Sequence, residues 1–430
     1  MKRIQPTIRF FANLLRDIAG TLAGRWRRFH RRVVLGEDIA SVGVDVYPFF
    51  EKMTGVGWYE WNLLAALDRR DDGLQFNLYA HTFLAPEEPM TTVMPGFKSM
   101  RFRLHHLPSE FLFPVGPTVV VLRRVVEPLL RWLDGNDVLF APNFFMPKNQ
   151  LAFGQTVVAT VHDLAFKVMP ETVNPETLEA LHDNLLETLF RSERLVAVSD
   201  ATAGDIYEHL GLRKNRVRVV HEGLDPSFAG ENDSAPPEDL PPHYLLFLST
   251  LEPRKNVLGV LRAFKLVVEW GYSGHLVLVG RWGWHTENIR KELEESPVRD
   301  RIIHLDYIER EQLPGLYRES DALLFPSWME GFGLPLLEAM ACGTPVVTSG
   351  CSAMPEVAGP AAIYVDPASP HGIASAISTL MEDDDHRKRL SDAGKKRAAR
   401  FSWDEAAAAT AQILRQAAGL TKIGEDEYRV

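Results

Sequence analysis

The chain reads as an α/β protein: two doubly wound, parallel-sheet domains facing a cleft, preceded by a basic amphipathic helix. Three observations lead there. Its 430 residues exceed what one hydrophobic core usually organises, and 46% apolar with 24% charged residues is a globular composition. Short apolar runs alternate with helix-like stretches, the pattern of buried parallel strands and their crossover helices. The alternation is interrupted between Asp225 and Pro242 by Gly, Asn, Asp, Ser and Pro, with Pro236-Pro237 and Pro241-Pro242, and a second series then starts at Tyr244. The expected division is a tail over 1–34, a first domain over 35–230, a linker over 231–243 and a second domain over 244–402. Residues 403–430 supply a C-terminal helix, able to return to the first domain, and a tail.

The net charge of −10 is unevenly spread. Residues 1–34 carry nine Lys/Arg against Asp17 alone, a charge of +8, which leaves −18 for the remainder. Ile8, Phe11, Leu15, Ile18 and Leu22 recur at spacings of three and four and give one apolar face, widened by Leu14, amid basic residues. That pattern suits an anionic membrane surface; the alternative is a helix packed on its own domain or a frayed extension. Arg9 and Arg16 interrupt any signal-peptide core, and no run approaches the roughly 18 apolar residues of a transmembrane span. Cys342 and Cys351 cannot form a disulfide framework, which points to a reducing cytoplasm. The expected location is therefore cytoplasmic, peripheral at the inner face of the membrane.

In the first domain, strands are expected at Ile39–Tyr47, Leu74–Ala80, Asp137–Ala141, Thr156–Val161, Arg194–Ser199 and Arg216–Val220. The first leads through a Gly55-Val56-Gly57 turn into a helix ending near Leu67. The third glycine of a dinucleotide fingerprint is missing there, so the turn is read as an approach to a sugar or phosphate. Ser109 to Leu133 is apolar but punctuated by Arg123, Arg124 and Arg131, and is either a core helix or a second membrane-facing element. His162-Asp163 stands at the carboxyl end of an apolar strand, where open α/β sheets bind ligands; a lone histidine there is either structural or functional.

In the second domain, strands are expected at Tyr244–Thr250, His275–Gly280, Arg301–Tyr307, Ala322–Pro326, Pro345–Thr348 and Ala362–Val365. Helices are expected at Pro370–Met381, Asp385–Phe401 and Trp403–Ala418. The chemistry gathers at three strand ends. After Ala322–Pro326 comes Glu330-Gly331-Phe332-Gly333-Leu334-Pro335-Leu336-Leu337-Glu338, a glycine-rich turn into a helix closing at Gly343. Its glycines permit close backbone approach, Pro335 suits the first helical turn, and the helix start offers free N–H groups to a phosphate. Glu330 lies just outside that helix and Glu338 inside it, so one carboxylate can hold a sugar hydroxyl and the other a ribose. After the first strand, Arg254 and Lys255 either grip a pyrophosphate or form a solvated pair. Gly280-Arg281-Trp282-Gly283-Trp284 ends another strand and can wall the same cleft.

Together these residues resemble family 4 of the large retaining GT-B class of glycosyltransferases. Glu330 and Glu338 stand at its Glu-x7-Glu spacing with the intervening Gly-Phe-Gly-x-Pro, and Glu252-Pro253-Arg254-Lys255-Asn256 resembles its pyrophosphate-binding stretch. Gly55-Val56-Gly57, His162-Asp163, Val198-Ser199, Gly223-Leu224-Asp225 and Pro355-Glu356-Val357-Ala358-Gly359 also match, and the resemblance covers about 38–405. The last motif, with the His-Asp-Leu stretch, points to the branch of bacterial O-antigen and exopolysaccharide mannosyltransferases.

The resemblance implies two Rossmann-like domains and a nucleotide-sugar donor held mainly by the second. Glu338 would hold the ribose, Arg254 and Lys255 the departing diphosphate, and Glu330 the sugar hydroxyls. His162 would approach the transferred sugar from the other domain. Gly57, Gly331, Phe332, Gly333, Leu334, Gly280 and Arg281 would line the donor site. The expected reaction moves a hexose, mannose from GDP-mannose, onto a lipid-linked glycan, with no cofactor, no metal and no nucleic-acid partner. The alternatives are a catalytically silent assembly subunit or a nucleotide-sugar epimerase. Asp383-Asp384-Asp385 matches a metal motif in letters but lies between two late helices, where a solvated turn is expected. Trp58 stands where such enzymes often carry arginine, and could stack on a sugar or lipid instead.

Overall fold

A computed structural model describes residues 38–46, 53–80, 100–104, 135–143, 156–230 and 234–420, with Trp26, His30, Phe49 and Phe97. The amphipathic pattern of the tail and the Ser109 to Leu133 stretch fall outside the described residues. The first sheet comprises β1 (Ala40–Asp45), β2 (Leu74–Ala80), β3 (Arg101–Leu104), β4 (Val138–Ala141), β5 (Thr156–Val161), β6 (Arg194–Ala197) and β7 (Val217–Val219). Their order is β3-β2-β1-β4-β5-β6-β7, every pairing parallel. The second comprises β8 (Tyr244–Leu248), β9 (His275–Val279), β10 (Ile302–Leu305), β11 (Ala322–Phe325), β12 (Val346–Ser349) and β13 (Ile363–Val365), in the order β10-β9-β8-β11-β12-β13, also all parallel.

Strands β1, β4, β6, β11 and β12 are buried at every position, which explains their largely apolar spelling, unbroken in β4 and β11. β3 was not expected. Its Arg101-Phe102-Arg103-Leu104 alternates charge with apolar residues, the spelling of a short edge strand. The Gly55-Val56-Gly57 turn is also corrected, because the helix already begins at Gly55 and runs to Asp68, its first bond joining Trp58 N–H to Thr54 O at 2.9 Å. With no residue in these three needing positive φ, they simply continue as its first turn, leaving their N–H groups unbonded within the helix.

The chain order places a strand reversal between β1 and β4 in one sheet and between β8 and β11 in the other, the two crevices where open α/β sheets take ligands. After the second sheet, the helix Trp403–Ala417 packs against the helix Gly55–Asp68 and against β4, β5 and β6 of the first. A parallel bridge between Leu224 and Ser402, with Leu224 N–H donating to Phe401 O at 3.1 Å, lays the two crossings side by side. One apolar cluster runs from Val42, Tyr59 and Leu63 through Trp403 to Phe325, Phe332 and Leu336, so the sheets share core contacts. Asp383 opens the metal-like triplet as a helix cap, its Oδ1 accepting from His386 N–H at 2.7 Å.

One buried residue opposes stability. Glu60, on the inner face of the helix Gly55–Asp68, is fully buried and neither carboxylate oxygen has a hydrogen-bond partner among the described residues. Burial, and secondarily Asp45, raises its pKa well above the ordinary 4.5. Below that ordinary value both folded and unfolded forms are protonated; above it the unfolded chain ionises first, so the cost grows as pH rises. Glu60→Leu is expected to stabilise the fold by about 1–3 kcal/mol at pH 8 and by less at pH 5, measured by denaturant melts. An equal gain at both values would contradict the burial account.

Candidate active site

The loops after β8 and β11 meet at the second sheet's reversal. Pro253–Lys255 form a 3-10 turn, ended by Asn256 in the left-handed region at φ 59°. Asn256 holds that shape by donating from Nδ2 to Pro326 O at 3.0 Å and Pro367 O at 2.8 Å. Arg254 donates to Met329 O at 2.9 Å and lies 3.5 Å from Glu330 and 3.8 Å from Asp163. It also forms a 2.9 Å ion pair with Glu252. Lys255 Nζ bonds both Glu330 oxygens, at 2.7 and 2.6 Å. The structure thus brings Arg254, Lys255 and Glu330 into one cluster, in which Glu330 serves as internal counter-ion to both cations. Burial raises the Glu252 carboxyl above its usual range, with Arg254 and Lys255 only partly offsetting it.

The Glu330 loop is a contact between domains. A Cβ on Gly331 would lie 1.5 Å from His162 O, so the glycine is required by backbone of the opposite domain. Ser199 Oγ donates to Gly331 O at 2.6 Å, and Thr202 Oγ1 lies 3.2 Å from both Gly331 O and His162 O. The expectation that this glycine opens room for a ligand is thereby modified: the approach it permits is to His162. Gly280 behaves similarly, with φ of +144° and room only for Ser249 O. The Phe332 ring is packed away, 5.7 Å from Phe401. Gly333, at φ 104°, starts the helix Leu334–Cys342, with Pro335 in its first turn.

His162 is 7% exposed, its ring held from within the first domain. Nε2 donates to Pro142 O at 2.8 Å, which fixes the tautomer, and Nδ1 faces Glu222 at 3.7 Å. Tyr59 packs edge-on at 4.6 Å. Burial raises the Glu222 carboxyl, and His162 opposes the shift. The carbonyl of His162, rather than its ring, touches the Glu330 loop.

Glu338 belongs to a second cluster. Its Oε2 accepts from Tyr317 OH at 2.8 Å, and Arg310 Nη1 lies 3.9 Å from Oε1. Burial raises the Glu338 pKa against the opposing Arg310 and Tyr317. Glu338, Arg310, Leu334 and Leu337 line a small cavity with Asn62, Gly223, Asp225 and Trp403 of the facing segments. Trp58 is spoken for: the Arg310 guanidinium sits 3.8 Å from its ring centre, which replaces the expected sugar or lipid stack. Arg310 and Glu222 were not anticipated. Arg310 is spelled within Glu309-Arg310-Glu311, which reads as solvated charge; its place after β10 was the available signal. Arg281 is exposed, while Trp284 of the same loop donates to Thr172 O across the domain contact.

Glu356 closes a further contact. Its carboxylate accepts from Asp200 N–H at 2.9 Å and from Ala201 N–H at 3.3 Å, capping a helix of the first domain, and pairs with His221 Nε2 at 2.5 Å. Burial pushes its pKa up, but His221 and these N–H groups outweigh that and hold it low. With Asp200, these residues form a three-member group of the metal-ligating type among the described residues, its oxygens already serving as cap and ion pair.

Two parallel sheets with facing reversals, and paired cations beside a Glu-x7-Glu helix start, define the GT-B class of glycosyltransferases. The family model Glycosyltransferase Family 4 matches residues 53–228 and the model Glycosyl transferases group 1 matches 230–397, and the chain belongs to this family. O-antigen chain mannosyltransferase B of Escherichia coli is 30% identical over 371 residues, covering 83% of this chain and 94% of that protein. Sucrose-phosphate synthase from Thermosynechococcus elongatus shares the fold with a TM-score of 0.67 at 19% identity, over 88% of this chain and 98% of that one. Anabaena HepE in complex with UDP and glucose does so at 0.63 and 17% identity, over 88% and 100%. No helix among the described residues is long and apolar enough to cross a membrane.

Proposed function

We propose that the chain is a retaining, metal-independent mannosyltransferase that moves mannose from GDP-mannose onto a lipid-linked glycan in bacterial polysaccharide biosynthesis. The observation that carries this reading is the Arg254-Lys255-Glu330 cluster at the β8/β11 reversal, facing His162 of the other domain. A diphosphate entering there takes Arg254 and Lys255 from Glu330, which frees that carboxylate for sugar hydroxyls. Glu338 holds the ribose. As the sugar–phosphate bond breaks, positive charge grows at the anomeric carbon and negative charge on the leaving oxygen; the two cations and the helix start at Gly333 stabilise the latter. The leaving phosphate accepts the acceptor's proton, so Glu330 is not a nucleophile. His162 positions the site: its carbonyl seats Gly331, and its ring braces Glu222.

The mannose assignment is supported by the Escherichia coli relative, an O-antigen chain mannosyltransferase. Attachment to the inner membrane face rests on the basic pattern of residues 1–34; deleting them is expected to abolish co-sedimentation with anionic liposomes, and unchanged sedimentation would remove that part. Labelled nucleotide sugars incubated with membrane lipid extract test the reaction. Label entering lipid from GDP-mannose, only with acceptor present, is expected; an altered free sugar supports epimerisation, and inertness toward every donor supports a silent subunit.

A further inference from the structure

Arg310 touches both domains and approaches Glu338 at once. It projects from the 3-10 turn Arg310–Gln312 after β10 and is largely buried. The guanidinium face lies 3.8 Å from the Trp58 ring centre. Its Nε and Nη2 both donate to Asp225 Oδ2, at 3.2 and 2.6 Å, and Nη1 points the other way, 3.9 Å from Glu338 Oε1. Face, edge and remaining nitrogen each have a separate task, which a planar fork allows and an ammonium does not.

The 3.9 Å gap is informative because it exceeds hydrogen-bond length. Arg310 therefore acts on Glu338 through space and leaves Oε1 open toward the cavity, while Tyr317 occupies Oε2. At that separation the guanidinium charge opposes the burial that raises the Glu338 pKa, without cancelling it. The other titratable groups facing Glu338 are Tyr317 from the helix Leu313–Glu319, Asp225 and Glu222 after β7, and Cys342 on its own helix. None of these supplies a positive charge.

We propose that Arg310 is the positioning residue of the nucleotide pocket: it holds Glu338 as an open carboxylate for the ribose hydroxyls and, through Trp58 and Asp225, ties nucleotide binding to domain closure. This rests on the assignment of Glu338 to the ribose. The test is calorimetric titration of GDP, UDP and ADP from pH 6 to 9 into the wild type, Arg310→Met, Arg310→Lys and Glu338→Gln, with steady-state transfer rates alongside. Arg310→Met is expected to bind the preferred nucleotide at least about tenfold more weakly, the deficit narrowing as pH rises, because loss of the cation pushes the already raised Glu338 pKa further up. Arg310→Lys keeps the charge and loses the stacked fork, so its affinity and pH profile stay near wild type while kcat falls. Should Arg310→Met fail to fold, Arg310→Lys alone carries the test: wild-type kcat would overturn the tie to closure. Glu338→Gln weak at every pH beside a wild-type Arg310→Met overturns the role of Arg310 and leaves the ribose assignment standing. Glu338→Gln binding like wild type removes that assignment itself.

Discussion

Arg254→Ala is expected to lose about 100- to 1,000-fold in transfer rate and, in addition, to destabilise the protein by about 3–5 kcal/mol. From sequence alone one expects the rate loss without the destabilisation, since Arg254 reads as a cation waiting for a diphosphate. The structure changes that. Arg254 is 15% exposed and Glu252, which it pairs, only 2%. Removing the arginine leaves that carboxylate, together with Glu330 and Asp163, short of a partner in a low-dielectric site. Arg254→Lys separates the two effects. A lysine preserves the charge and most of the stability but cannot form the same fork, so its rate stays low while its melt recovers. Equal recovery of both would mean that charge alone is required, and a full-rate Arg254→Ala would remove the residue from the site.

Gly331→Ala is expected to cost about 100-fold in transfer while leaving nucleotide affinity within a few-fold of wild type. The added methyl would fall 1.5 Å from His162 O, where backbone must yield. The domains would be held apart at the point where Ser199 and Thr202 bond Gly331 O, misplacing the first domain relative to Arg254, Lys255 and Glu330. Those three residues and Glu338 all lie on the second domain, so most nucleotide contacts survive the displacement, and the few-fold loss is the share that Trp58 and Asp225 supply through Arg310. Loss of nucleotide binding along with transfer would show that the glycine faces the donor directly.

Most strand positions were legible because parallel strands buried on both faces are spelled with mostly apolar and β-branched residues; Thr156–Val161 and Leu74–Ala80 match residue for residue. β3 was not, because an edge strand of four residues alternates with charge and looks like surface. Within the site, Glu330, Arg254 and Lys255 were visible since glycines, a proline and paired cations at strand ends have few structural uses. Arg310 was invisible for the opposite reason. Its function depends on Trp58 and Asp225, distant in sequence, and a single arginine between two glutamates carries no local sign of them. Gly331 was legible as a site of close approach, whereas Gly55 only opens a helix; the sequence pattern cannot say what approaches, and at Gly331 it is the other domain.

In the proposed reaction the Arg254-Lys255-Glu330 cluster and Glu338 form a nucleoside-diphosphate site that works without a metal. Titration calorimetry of GDP in the presence of EDTA tests it most directly. Saturable one-to-one binding, competed by GDP-mannose and weakened at least about tenfold in Arg254→Lys, is the predicted result. Absence of GDP binding under EDTA, or stabilisation by UDP and not GDP, would contradict it.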